Sequence, residues 1–458
     1  MSAVASAPHW HPILEGDLRS RARETVAAIA AELARSWPAG QASTIKDPVR
    51  SISRHCLADG ESGQALFFAA LAEIEPDHAA PGIAHIERAI DQLAGDAALA
   101  DLYSGFTGVA WAIDHLRGRL LADDMEDTNE DIDRILAEHL TQSPWKRAYD
   151  LTSGLAGLGL YALERLRGSE ARAGGEPPDP QGRGATPGNA RLNQQAVTCL
   201  VRVIDRLDEL ALRRPDGITW HTSAEILGPP TREYFPDGHE NLGVAHGVPG
   251  VLPVLARAIA AGVAVDKARP LLDGAVRWVL AQRTHDEESL FPYCVGHGVA
   301  PRLARAAWCY GDPGIAAALL VTARAVGEPA WEQEARATAL ASARRSIDSA
   351  GVHDAGLCHG AAGLGHVFNR LYQAMREPLL LDAARTWFAR ALELRIPGQG
   401  IAGFRTWGPG ADGEMTWLVD PTFLTGVAGI GLALLGATTD IEPVWDRLLL
   451  LSPVAMGC

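Results

Sequence analysis

The sequence has no surplus of positive charge. Lysine and arginine number 41 against 56 aspartates and glutamates, a net charge of −15. A protein that lives on phosphate contacts shows the opposite balance, so nucleic acid is not an expected partner. An export signal is also missing, because Met1 to Trp10 hold no basic stretch followed by an apolar core. No transmembrane segment is expected. Residues 421–439 carry no charge, yet their four glycines and four threonines suit a packed helix better than a bilayer span. Cysteine is scarce: Cys56, Cys199, Cys294, Cys309, Cys358 and Cys458 are all there is. In a chain without an export signal these point to a cytoplasmic, reducing compartment, and to single thiols or metal ligands rather than a disulfide framework. The alternation of β-branched residues that marks sheets is sparse as well. What remains is 458 residues at 47% hydrophobic and 21% charged, rich in alanine and leucine, which predicts an all-α protein with ample core material.

Glycine is abundant and patterned. Gly-x-x-Gly followed by an apolar run begins at Gly60, Gly105, Gly154, Gly247, Gly311, Gly360 and Gly426. With 47 glycines the bare pattern recurs about five times by chance, so the signal is the combination with an apolar helix, seven times in order. Between the copies lie amphipathic segments at about 17–36, 83–93, 127–140, 192–213, 265–283, 328–349 and 377–395. Ile83, Ile86, Ile90 and Leu93, for example, share one helical face. Helices that are apolar all round belong inside and amphipathic ones outside. Seven helix-pair repeats in two concentric layers, a closed α/α toroid forming one domain over residues 1–458, satisfy both. The longest interval, Gly154 to Gly247, predicts a loop-rich insert around 168–241. Gly168 to Asn193 reads as a surface loop, and the irregular stretch from Gly217 as a place for short strands.

The residue before each first glycine is polar: Asp59, Ser104, Ser153, His246, Tyr310, His359 and Thr425. Asp59, Ser104, Ser153 and Thr425 are expected to cap their helices. Histidine and tyrosine are poor caps and need another explanation. Parallel inner helices would gather all these residues at one mouth, where helix N-termini favour an anionic ligand. Two motifs, WCYGDPG and LCHGAAG, also place a cysteine two residues before the glycine. Equivalent slots would bring Cys309, Cys358 and His359 together, a zinc set that leaves a fourth position open. Buried cysteines acting as small hydrophobes remain the alternative, and Cys294 with His297 is a rival pair. Taken alone, His246 reads equally as a structural histidine, Asp150 as a cap and Arg305 as a surface residue on a preceding helix.

YDLTSGLAG, NLGVAHGVPG, WCYGDPG and LCHGAAG in this arrangement resemble the LanC family of lanthionine cyclases, over roughly residues 50–435. The resemblance implies a seven-fold α/α toroid with one Zn2+ per chain, held by Cys309, Cys358 and His359. It implies that His246 acts in acid–base catalysis with Asp150 near it, and that Arg305 and Tyr310 belong to the active site. It further implies a stand-alone cyclase, since the first glycine motif begins at Gly60. The expected substrate is a dehydrated precursor peptide with its leader, delivered by a separate dehydratase, in the cytoplasm and at a membrane-located biosynthetic complex. The expected reaction joins cysteine thiols to dehydroalanine or dehydrobutyrine, giving lanthionine or methyllanthionine. The rival readings are addition of glutathione or another small thiol, and a non-catalytic zinc-stabilised peptide-binding scaffold. A toroidal glycosidase would need paired carboxylates; the glycine-motif slots offer Asp59 and Asp150 but also the cysteine set, so it ranks last.

Overall fold

The computed structural model describes residues 10–35, 55–95, 99–123, 126–172, 187–285, 288–410 and 412–452. All seven glycine motifs open a helix. These are α2 (Glu61–Ala72), α4 (Phe106–Leu116), α6 (Leu155–Arg172), α9 (Val248–Ala260), α11 (Asp312–Val326), α13 (Ala361–Met375) and α15 (Val427–Thr438). All seven amphipathic segments are helices too: α1 (Gly16–Leu33), α3 (Ala79–Leu93), α5 (Glu130–His139), α7 (Pro187–Leu210), α10 (Val265–Ala281), α12 (Pro329–Ser342) and α14 (Pro378–Glu393). The motif helices touch in the order α2, α4, α6, α9, α11, α13, α15, and α15 returns to α2. They form the inner ring, and the amphipathic helices lie around it.

Closure is visible in the main chain. Each residue two positions before a first glycine donates its N–H to the carbonyl of its counterpart in the next motif. The circle runs Ala58, Tyr103, Thr152, Ala245, Cys309, Cys358, Leu424 and back to Ala58, with N···O distances of 2.7–3.4 Å. Buried backbone groups must find partners, and here seven loops satisfy one another.

The glycines follow from the same geometry. Each loop folds back over the first turn of the helix it enters. A Cβ on the second glycine of each pair would lie 1.8–2.3 Å from the carbonyl oxygen six residues earlier. No side chain fits there. Gly311 adds a second reason, a φ of +94°.

This fold-back corrects the capping expectation. The N-cap positions are the glycines themselves, and the hydroxyls of Ser104 and Thr425 instead donate to the carboxylates of Asp101 and Asp420. Upstream carbonyls accept instead: Leu155 N–H bonds Ala148, Ala361 bonds Asp354 and Val427 bonds Asp420, each seven residues back. Orphan donors of these three helices thus meet backbone rather than side chain.

Pairing differs from chain order. In space an inner helix is followed by its outer partner, as in α2 with α3 or α13 with α14, and α1 packs on α15 to complete the last pair. Helix α5 leans on α7. The loop expected over 168–193 is shorter, because α6 runs on to Arg172 and α7 starts at Pro187; residues 173–186 lie outside the described ones. The rest of the insert holds short strands. Leu212–Arg214 pairs with Gly217–Thr219, and His221–Thr222, His239–Asn241 and Cys294–Val295 form a small antiparallel sheet, with α8 (Pro229–Tyr234) between.

The inner helices are not apolar all round. The C-terminal segment Trp445–Leu449 lies within their ring, and buried charges meet it from several sides. Asp446 accepts from His366 and Arg370 of α13, while Arg447 pairs with Glu164 of α6. Tyr103 and Trp308 donate to the carbonyls of Leu448 and Leu449, both at 2.8 Å. Arg257 of α9 reaches the carbonyl of Ser452.

Candidate functional site

The hydrogen-bonded circle places the chemistry. Cys309 and Cys358 are 49 residues apart, yet they occupy neighbouring slots, with the Cys309 N–H bonded to the Cys358 carbonyl at 3.4 Å. His359 follows in the same loop. One ligand atom from each of Cys309, Cys358 and His359 lies within 4.8 Å of the other two, a group that can hold a metal ion. It is the one such group among the described residues. Cys294 is buried in its strand, in no such group.

The electrostatics separate the two thiols. Hydrogen bonding from Cys358 holds the Cys309 thiol well below its ordinary value, against burial and with help from His359 and Arg305. The same bond, together with burial and the charge on Cys309, pushes Cys358 well up. Burial draws the His359 imidazole down, but Cys309 outweighs it and the net shift is upward. Arg305 acts on all three groups. It lies on a loop and not on a helix, six residues before Gly311, correcting its expected place.

His246 stands one slot away, before Gly247. Its Nδ1 is 2.9 Å from Asp150 Oδ2 and 2.9 Å from Thr152 Oγ1. The other oxygen of Asp150 accepts the Ser153 N–H at 2.8 Å. One carboxylate therefore holds its own turn and fixes the imidazole of the next motif. Facing a carboxylate, Nδ1 carries the proton. Tyr310 comes next in the circle. Its ring stacks on that of Tyr293 with centroids 4.0 Å apart and faces His246 at 6.4 Å. Burial raises its hydroxyl well above the usual tyrosine value.

All seven residues expected at the site thus fall in the loops at one end of the inner ring. Thr152, Asn241 and Tyr293 were missed. Asn241 Nδ2 donates to the Tyr310 hydroxyl at 3.0 Å. A signal for it exists in the sequence: Asn241, Arg305, Asp354 and Asp420 each stand six residues before a first glycine. Tyr293 lies outside any motif and gives no such signal.

A closed ring of seven inner helices, with a thiol–imidazole group and a histidine–carboxylate pair at its mouth, defines an α/α-toroid protein built around a metal-type centre. The chain belongs to the lanthionine synthetase C-like protein family, which it matches over residues 52–450. Among solved structures it is similar to one described as "Nisin cyclase", with a TM-score of 0.65 and 19% identity, covering 95% of this chain and 98% of that one. That likeness shows a shared fold. No curated protein matches the sequence. No helix among the described residues is long and apolar enough to cross a membrane.

Proposed function

We propose that this protein is a zinc-dependent lanthionine-forming cyclase acting on dehydrated peptides. The observation that carries the reading is the meeting of Cys309, Cys358 and His359 within 4.8 Å beside the paired His246 and Asp150. The donor set suits zinc. Tetrahedral zinc with bonds of about 2.0–2.3 Å sets its ligand atoms roughly 3.5–3.8 Å apart, which falls inside the 4.8 Å that bounds these three atoms. Two thiolates and an imidazole occupy three positions and leave one for a substrate. Bound zinc would supply the Lewis acidity that ionises a substrate thiol, which otherwise titrates at about 8.5.

The chain's own residues supply the rest. The sulfur adds to the β-carbon of dehydroalanine or dehydrobutyrine, a C–S bond forms, and the C=C electron pair moves towards the α-carbon and its carbonyl. Asp150 and Thr152 hold Nδ1 of His246, so proton exchange falls to Nε2, which protonates the α-carbon. Arg305 contributes positive charge and Tyr310 a hydrogen-bond donor for the developing enolate oxygen. The thiol proton leaves before addition and one proton returns to carbon, so the ring closes without a change of mass. The peptide arrives already dehydrated from a separate enzyme, in the cytoplasm.

The test is incubation of the zinc-loaded protein with a synthetic peptide holding one dehydroalanine and one free cysteine. Loss of the alkylatable thiol at constant mass supports ring closure. A mass gain equal to added glutathione, with the peptide thiol still free, would instead mark a small-thiol transferase. Neither change, with zinc bound, would leave a scaffold.

A further inference from the structure

Three of the loops that enter the ring repeat one turn, and one of the three departs from the other two. Asp354 Oδ1 accepts the Gly356 N–H at 3.0 Å, Asp420 Oδ1 accepts that of Thr422 at 2.8 Å, and Asn241 Oδ1 accepts that of Gly243 at 2.8 Å. Aspartate and asparagine serve this turn equally, so the choice of asparagine needs a second reason. The remaining terminal atom supplies it. The second oxygen of Asp354 accepts from Trp407 N–H, and that of Asp420 from the Thr425 hydroxyl. Asn241 offers a donor there. Its Nδ2 gives one hydrogen to the Tyr310 oxygen at 3.0 Å and faces His239 Nε2 at 3.3 Å. Burial draws His239 down to about 4, so it is neutral and able to accept. With Oδ1 engaged by Gly243, all three amide contacts are satisfied in one orientation only.

We propose that Asn241 is a positioning residue: by donating to the Tyr310 oxygen it keeps the Tyr310 O–H as an obligatory donor at the mouth of the site. A tyrosine hydroxyl has one hydrogen, and its oxygen can also accept. Once Asn241 occupies the oxygen, the hydrogen must point elsewhere. In the free protein the ring of Tyr293 stacks on that of Tyr310, with centroids 4.0 Å apart. A substrate carbonyl within reach of that hydrogen meets a donor. The catalytic half of this inference rests on the cyclase reading; the hydrogen-bond half does not.

The decisive variant is Asn241→Asp, studied in the full-length zinc-loaded protein. It keeps the turn oxygen, as Asp354 and Asp420 do, but replaces the donor with an acceptor, so Tyr310 would give its hydrogen to the new carboxylate. The first readout is the 13Cζ resonance of Tyr310, assigned by its disappearance in Tyr310→Phe. It should shift in Asn241→Asp while zinc content and far-UV circular dichroism stay those of wild type. The second is turnover of a dehydrated cysteine-containing peptide. We expect kcat to fall by about 10–100-fold, the usual effect of an outer partner, with KM little changed. In a Tyr310→Phe background the same substitution should add nothing. An unmoved Cζ resonance, unchanged kcat, or an equal loss in both backgrounds would overturn the proposal. If wild type cyclises no peptide, the cyclase reading fails, and the Cζ measurement still decides whether Asn241 sets the direction of the Tyr310 hydrogen bond.

Discussion

Replacing Gly363 by alanine tests whether the glycine repeat and the metal centre are one construction. Gly363 is the second glycine of LCHGAAG. A Cβ there would lie 1.8 Å from the carbonyl oxygen of Leu357, the residue before Cys358. Real Cβ contacts hardly ever fall below 3.0 Å, so the loop must move by about 1.2 Å. The obstacle is backbone on both sides, and no rotamer relieves it. Overpacking of this kind costs about 1–3 kcal/mol, a substantial part of the roughly 5–15 kcal/mol that holds a typical protein folded. The functional cost is larger, because a 1 Å misplacement of reacting groups can cost ~100-fold in rate. The control is Gly108→Ala, where a Cβ would lie 2.1 Å from the Leu102 carbonyl, at a slot across the circle from Cys358. Both variants should lose comparable stability in urea titrations. Only Gly363→Ala should lose zinc, measured as metal per chain after dialysis, together with cyclisation. Wild-type zinc content and rate in Gly363→Ala, or equal zinc loss in Gly108→Ala, would refute the argument.

Other outcomes follow from the same geometry. Cys358→Ala should abolish zinc retention while the far-UV spectrum is preserved, because the backbone bonds of the circle need no side chain; stoichiometric zinc in the variant would remove Cys358 from the ligand set. His246→Ala should keep zinc and lose turnover, whereas Thr152→Val removes the 2.9 Å bond to His246 along with two longer contacts to Asp150 and Ser153, and should slow turnover by about 2–12-fold, equivalent to ~0.5–1.5 kcal/mol for the one short bond. Asp446→Asn leaves the buried Arg370 charge short of its main partner and should destabilise by about 3–5 kcal/mol in urea, with a loss below ~1 kcal/mol counting against an enclosed C-terminal segment. Burial lowers His115 to about 3, so it is neutral when folded, while the unfolded histidine gains its proton near 6.5. Its contribution is complete above about pH 6.5 and falls by up to ~1.4 kcal/mol per unit as pH drops towards 3. His115→Gln should flatten the stability profile across that window, and an unchanged slope would contradict the assignment.

How much was legible in the sequence can be judged from particular residues. The seven glycine pairs and the helices after them are local signals, since fold-back over a first turn demands glycine wherever it occurs. The amphipathic helices are equally local, because a helix with one wet face writes a 3.6-residue period. Cys309, Cys358 and His359 were legible through the equivalence of their slots. The capping expectation failed because a polar residue before a helix looks the same whether or not a carbonyl seven positions upstream has already taken the donors. Asn241 and Thr152 were overlooked because each is defined by a partner in another repeat. Asn241 meets Tyr310 and Thr152 meets His246, 69 and 94 residues away.

The sequence by itself therefore determined the repeat, the two kinds of helix and the loops in which Cys309, Cys358 and His359 stand, because each depends on neighbours within a few residues. Tertiary structure alone decided the closing of the hydrogen-bonded circle, the pairing of α1 with α15, the enclosure of Trp445–Leu449 within the ring and the direction of the bonds that hold His246 and Tyr310. These are contacts between residues tens to hundreds of positions apart, and no local pattern records which of two distant loops will lie beside a third.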